Sequence, residues 1–145
     1  MVRFEFASCI ANCVTRRALV KAIIIDDSRA MRMILKRIIN GIGIESVEAT
    51  DGSDALQLLA SLAYTPDVAL IDWNMPNING YDLLLELRAN TEYAKMRIVM
   101  VTTEVEMLQV SKALDAGADE YVMKPFTPEM IVEKLGQIGI VQAAA

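Results

Sequence analysis

Four short apolar runs in this sequence end on residues that can do chemistry. Ala22 to Ile25 leads into Asp26-Asp27, Val68 to Ile71 into Asp72, Ile98 to Val101 into Thr102-Thr103, and Tyr121 to Met123 into Lys124-Pro125. Brought to one place, the carboxylates would repel and raise one another's pKa unless a cation joined them. Oxygen ligands without a nearby histidine or cysteine select Mg2+, or Mn2+ in its stead, and so few carboxylates leave positions open for water and a phosphoryl oxygen. That combination suits phosphoryl transfer.

Each residue alone has an ordinary explanation. Asp26-Asp27-Ser28 can cap a helix, Asp72 can open a turn, Thr102 can cap, and Lys124 can be a solvated charge, since Asp and Thr are common at helix starts. Four strand ends delivering complementary groups to one edge are harder to dismiss.

Other chemistries are excluded by what the chain lacks. It has no histidine, which removes Ser-His-Asp and Cys-His catalysis, His-ligated zinc and a phosphohistidine carrier. Cys9 and Cys13 are too few for a disulfide scaffold or a cysteine-only zinc site, so a reduced, cytoplasmic protein is expected. No G-x-x-x-x-G-K-[ST] or G-x-G-x-x-G stretch cradles a nucleotide, and Gly41-Ile42-Gly43 reads as a helix exit and turn. A net charge of -5 has the wrong sign for general affinity to nucleic acid or an anionic membrane. The longest charge-free stretch, Ala55 to Pro66, falls short of the roughly 20 residues needed to span a bilayer, so no membrane insertion is expected.

The elements that must hold these residues follow from periodicity. Strands are expected at Ala22 to Ile25, Glu45 to Ala49, Val68 to Ile71, Ile98 to Val101 and Tyr121 to Met123. Between them Met31, Ile34, Leu35, Ile38 and Ile39 share a helical face, as do Leu56, Leu59, Ala60 and Ala63, and Leu83, Leu84 and Leu87. Further helices are read over Glu104 to Ala116 and Thr127 to Ile138. Gly41 and Gly117 suit left-handed helix exits, and Thr127-Pro128-Glu129 reads as cap, proline at the first helical position and acid in the first turn. Apolar first, third and fourth strands suit the interior of a parallel sheet covered on both faces. The fold class is α/β: an open, doubly wound five-stranded parallel sheet, (βα)5. Its ligands are expected beyond the carboxyl ends of the strands, where strand order reverses.

Residues 1–20 differ from the remainder. Arg3, Arg16 and Arg17 against Glu5 give them +2, so residues 21–145 carry -7. Glu5 and Asn12 interrupt a signal-peptide core, and the arginines follow the apolar stretch instead of preceding it. An amphipathic added helix and a misassigned start are both open. The expected division is an extension over 1–20, a domain over 21–141 and a short tail over 142–145.

From Lys21 to Gly139 the motifs also resemble a known family. They are Ile25-Asp26-Asp27-Ser28, Asp51-Gly52, Asp72-Trp73-Asn74-Met75-Pro76, Asn79-Gly80, Thr102-Thr103-Glu104, Ala116-Gly117-Ala118 and Tyr121-Val122-Met123-Lys124-Pro125-Phe126. In this order and spacing they resemble the receiver domains of two-component response regulators. Trp73, Asn74, Glu104 and Tyr121 make the chain look most like the stand-alone chemotaxis regulators of the CheY type. The resemblance implies a flavodoxin-like fold with strand order 2-1-3-4-5, an order known for CheY itself. It implies that Asp72 takes a phosphoryl group from a sensor-kinase phosphohistidine. Asp26, Asp27, Asp72 and the backbone carbonyl of Asn74 would then surround Mg2+.

On that basis Asp72 is the nucleophile, Thr102 and Lys124 contact the phosphoryl oxygens, and Thr102 with Tyr121 forms the switch. Asn74 and Glu104 would tune hydrolysis, and the Lys124-Pro125 bond would be cis. Thr103 is larger than the alanine often found at its position. With only Gly139 to Ala145 after the last helix, output is expected through protein binding. The implied partners are a chemotaxis-type sensor histidine kinase, the flagellar motor switch protein and a phosphatase, and the chain is expected to be a monomer. It would be a phospho-acceptor signalling protein, not an enzyme in the usual sense. A phosphorelay intermediate serving a histidine phosphotransfer protein is the alternative. A hydrolase of the haloacid dehalogenase type is disfavoured, because it usually has an acid where Asn74 stands.

Overall fold

The computed structural model describes residues 19–103 and 107–141. The Cys9/Cys13 pair, Glu104 and the tail lie outside the described residues, as does the extension up to residue 18. Five strands form one parallel sheet: β1 (Lys21–Ile25), β2 (Glu45–Ala49), β3 (Val68–Asp72), β4 (Arg97–Thr102) and β5 (Glu120–Met123). Their order is β2-β1-β3-β4-β5, as the resemblance implied. The helices are α1 (Arg29–Gly41), α2 (Gly52–Ser61), α3 (Gly80–Ala89), α4 (Met107–Asp115) and α5 (Pro128–Gln137), with a 3-10 turn over Thr91–Tyr93. None of them is long and apolar enough to cross a membrane.

Successive strand side chains point to opposite faces, and the sheet therefore builds two cores. Ile23, Ile25, Ala69, Ile71, Ile98 and Met100 pack with Leu59 of α2, Leu83, Leu84 and Leu87 of α3 and Ala113 of α4. Ala22, Ile24, Leu70, Val99, Val101 and Val122 pack with Leu35 and Ile39 of α1 and Ile131 and Leu135 of α5. With both faces covered, β1, β3 and β4 need no alternation, which is why they read as continuous apolar runs.

Helix starts follow the local chemistry. Ser28, Asp51, Asn79 and Thr127 each accept a hydrogen bond from the amide three residues on, capping α1, α2, α3 and α5. Pro128 occupies the first turn of α5 as expected.

Three expectations need correction. Gly41 is the last helical residue of α1, and the left-handed position is Gly43 at φ 87°. The Gly43 amide donates to Asn40 at 3.1 Å and that of Ile44 to Ile39 at 3.0 Å, the paired bonds of a left-handed helix exit. Ile34 is 47% exposed, because Leu35 and Ile39 already fill the face of α1 turned to the sheet. In α2 the buried alanine is Ala55, while Ala60 is exposed and Ala63 lies past the helix end. Gly117 does take the expected left-handed conformation, at φ 114°.

The amino edge of the sheet is fastened by Arg88 and Asp119. Arg88 donates to the carbonyls of Gly117 and Tyr93 at 2.8 and 2.9 Å and meets the Asp119 carboxylate at 3.0 Å. Asp119 accepts from the Ile98 amide at 2.8 Å and returns its own amide to the Ile98 carbonyl at 2.8 Å. One carboxylate thus satisfies a strand amide and a partly buried guanidinium together. Asp119→Ala is expected to lower stability in urea unfolding by about 1–3 kcal/mol, because it orphans both donors. Arg97→Ala, which removes an exposed partner of the same carboxylate at 3.5 Å, should change it by less than about 1 kcal/mol.

Candidate functional site

The parallel register delivers the acidic residues side by side. Ile25 pairs with Ile71, and one residue further each chain places an aspartate, Asp26 just past β1 and Asp72 at the end of β3. Asp26, Asp27 and Asp72 each offer a carboxylate oxygen within 4.8 Å of the other two. Asp26 and Asp72 are buried, whereas Asp27 is exposed and opens the cluster to solvent. Ser28 donates its amide to Asp26 Oδ1 at 2.8 Å, which aims the other oxygen at Lys124. This is the point where the chain, having run outward from β1 to β2, returns to β3 on the other side.

Lys124 follows β5, and its Nζ lies 3.2 Å from Asp26 Oδ2 and 3.2 Å from Asp72 Oδ1. Its amide donates to the carbonyl of Thr102 at 2.8 Å, tying the ends of β4 and β5, and the Lys124-Pro125 bond is cis. One ammonium among three carboxylates leaves negative charge uncompensated. Burial, and then the neighbouring Asp26, raises the Asp72 carboxyl from the ordinary 3.8 to about 6 despite the opposing pull of Lys124. An all-oxygen cluster with an open side and excess negative charge fits a divalent cation of the Mg2+ kind.

Thr102 is buried as the last residue of β4 and pairs with Met123. Asn74 is exposed in the loop after β3, two residues past Asp72. Tyr121 is half-buried on β5, with the Lys134 ammonium 5.2 Å from its ring centre. The structure therefore pairs Lys124 with Asp26 and Asp72, gathers Asp27 beside those two carboxylates, and puts Thr102 on the same edge.

The loop after β3 carries features whose purpose was not visible in the sequence. The Gly80 amide donates to the Trp73 carbonyl at 2.8 Å. A Cβ on Gly80 would overlap the Asp72 carbonyl oxygen and come within 2.8 Å of Trp73 Cα, so only glycine lets α3 start this close to the end of β3. Asn77 takes the left-handed region at φ 67°, which asparagine tolerates better than most residues. Trp73 stacks on Tyr81 with ring centres 5.7 Å apart, and Lys112 of α4 sits 4.4 Å from the Tyr81 ring. In the sequence Asn79-Gly80 stood only as one of the motifs carrying the resemblance, and nothing in it pointed to this packing.

Residues 22–136 match the family of the response regulator receiver domain. The chain is 42% identical over 116 residues to chemotaxis protein CheY1 of Helicobacter pylori, covering 79% of this chain and 93% of that protein. It is 41% identical over 121 residues to the CheY homolog of Campylobacter jejuni, covering 81% and 91%. Among solved structures, CheY4 of Vibrio cholerae superposes with a TM-score of 0.76 at 29% identity, over 83% of this chain and 99% of that one.

The burial of Asp72 beside Asp26 sets a pH dependence with a definite sign. The native state holds the Asp72 proton up to about pH 6, whereas the unfolded chain releases it near 3.8. The native state therefore binds more protons in that window, and stability falls as pH rises through it. Metal-free protein is expected to melt several degrees lower at pH 7 than at pH 5. Asp72→Asn should remove most of that slope, and saturating Mg2+ at pH 7 should restore the lost stability by binding the native state. A scanning calorimetry series over pH, with and without Mg2+, checks all three outcomes.

Proposed function

The chain belongs to the response regulator receiver family, and from that premise we propose that Asp72 accepts a phosphoryl group from the phosphohistidine of a sensor kinase. The observation that carries this reading is the Asp72 carboxylate held 3.2 Å from Lys124 inside a three-carboxylate cluster at the edge of a parallel sheet. Asp26, Asp27 and Asp72, with the Asn74 carbonyl, would hold Mg2+, which when bound supplies positive charge to the phosphoryl oxygens. Asp72 attacks phosphorus as the carboxylate, the bond to the imidazole nitrogen breaks, and the electron pair leaves with that nitrogen, which takes up a proton. Lys124 is free to turn its ammonium to a phosphoryl oxygen because it already faces Asp72. Preorganised charge of this kind lowers the barrier without solvent reorganisation. Thr102 would donate its hydroxyl to another phosphoryl oxygen.

The product is an acyl phosphate, which hydrolyses readily and makes a timed signal. Asn74 and Glu104 are the proposed tuners of that hydrolysis, by their positions two residues after Asp72 and Thr102. The receiver unit is taken as residues 21–141. Its output is proposed to be protein binding through α4, β5 and α5, with the flagellar motor switch as partner. The roughly 40% identity to chemotaxis regulators supports this choice. Thr102 and Tyr121 lie on the neighbouring strands β4 and β5, so displacement of one alters the space available to the other. A partner that prefers one arrangement gains affinity on phosphorylation and stabilises that arrangement in return.

Incubation with a small phosphoryl donor and Mg2+ should attach one base-labile phosphoryl group, and Asp72→Asn should abolish it. Persistence of that label in Asp72→Asn would sink the assignment. Lys124→Ala should retain Mg2+ binding, but it should lose most of the gain in affinity for a motor-switch peptide that beryllofluoride produces in the unaltered protein. Equal peptide binding with and without beryllofluoride, together with rapid transfer to a histidine phosphotransfer domain, would instead establish the phosphorelay role.

A further inference from the structure

Every polar atom of Asp26 has a partner, and one partner comes from a residue with no role so far. The Asp26 amide donates to the Ala49 carbonyl at 3.2 Å, Oδ1 accepts from the Ser28 amide at 2.8 Å, and Oδ2 faces Lys124 at 3.2 Å. The remaining group, the main-chain carbonyl, accepts from Arg32 Nη1 at 2.8 Å. Arg32 reaches back from α1, its side chain only 12% exposed, and its Nε meets Glu48 of β2 at 3.3 Å. Glu48 also meets Lys36, one turn further along α1, at 3.5 Å.

That carbonyl belongs to the peptide joining Asp26 to Asp27. The peptide is planar, so fixing its oxygen fixes the orientation of the unit from which both side chains depart. Asp26 is buried, and without Arg32 its carbonyl would lose a hydrogen bond in a place where water does not readily replace it. Residues 26–28 form a three-residue link between β1 and α1. Such a link can rotate as a unit if the oxygen is released. We propose that Arg32 is a positioning residue for the metal-binding pair Asp26 and Asp27, acting through the peptide between them, with Glu48 holding its guanidinium in place. The proposal rests on the metal reading of the carboxylate cluster.

Charge and positioning act in opposite directions, which makes the idea sharp. Deleting a cation beside an acidic cluster should tighten Mg2+ binding if Arg32 acts only through its field, whereas loss of positioning should weaken it. The full chain would be titrated with Mg2+ by calorimetry, with urea unfolding in a chelator run in parallel. Arg32→Met is expected to weaken Mg2+ binding by roughly 10-fold or more, the range seen when groups supporting metal ligands are removed. Arg32→Lys should recover part of the loss. Glu48→Gln should weaken binding by less, and it should add nothing in the Arg32→Met background, because it acts through Arg32. Arg29→Met, which removes an exposed charge from the same helix, should leave binding unchanged or slightly tighter.

Unchanged or tighter Mg2+ binding by Arg32→Met, with the unaltered protein binding normally, overturns the positioning role alone. If the unaltered protein takes up no Mg2+, the metal reading itself falls and the proposal with it. Should Arg32→Met fail to fold, Glu48→Gln decides: a dissociation constant equal to that of the unaltered protein overturns the role.

Discussion

Like charge held close against its own repulsion is the constraint on which this structure turns. Asp26, Asp27 and Asp72 would separate if the backbone allowed it, since a single ammonium cannot compensate all three. The hydrogen-bonded register of β1 with β3 and the two packed cores beneath it prevent that separation. Burial, together with the neighbouring Asp26, raises the affinity of Asp72 for a proton. The uncompensated charge also leaves the same pocket receptive to a divalent cation. The apolar sheet is thus the support that makes an electrostatically costly site tolerable.

Much of this was legible in the chain. The apolar runs revealed the interior strands because both sheet faces are covered, and the polar residues closing those runs marked the site edge. Caps at Ser28 and Thr127 were readable because they use short side chains acting over three residues, whereas Asp51 and Asn79 cap in the same way but were read only as parts of family motifs. Strand order was not readable from periodicity. It came from family resemblance, because any pairing of five apolar strands would give the same local pattern.

What escaped depends on contacts distant in sequence or on choices within one turn. Whether Gly41 or Gly43 takes the left-handed position depends on where the last helical hydrogen bond closes, and local composition does not decide that. Ile34 has the right periodicity for the core, yet Leu35 and Ile39 occupy the available face. Nothing in the local sequence distinguishes Arg32 from a helix-surface cation. Its link to Asp26 and Glu48 exists only after α1 has folded back over β1 and β2. Tyr81 and Lys112 meet only when α3 and α4 are neighbours.

Strand β4 is paired on both sides and fastened by different groups at its two ends. At its amino end, Ile98 is bound through both its amide and its carbonyl to Asp119, which Arg88 braces in turn. Four residues later, roughly 13 Å along the strand, Thr102 reaches the site edge. The strand is thus a beam held at both ends, by Asp119 at one and by the Lys124 amide on the Thr102 carbonyl at the other. A bulky label or immobilising tether attached at the exposed Arg97 would therefore sit a full strand length from the carboxylate cluster. Sensors made from this domain could be anchored there while the opposite edge stays clear.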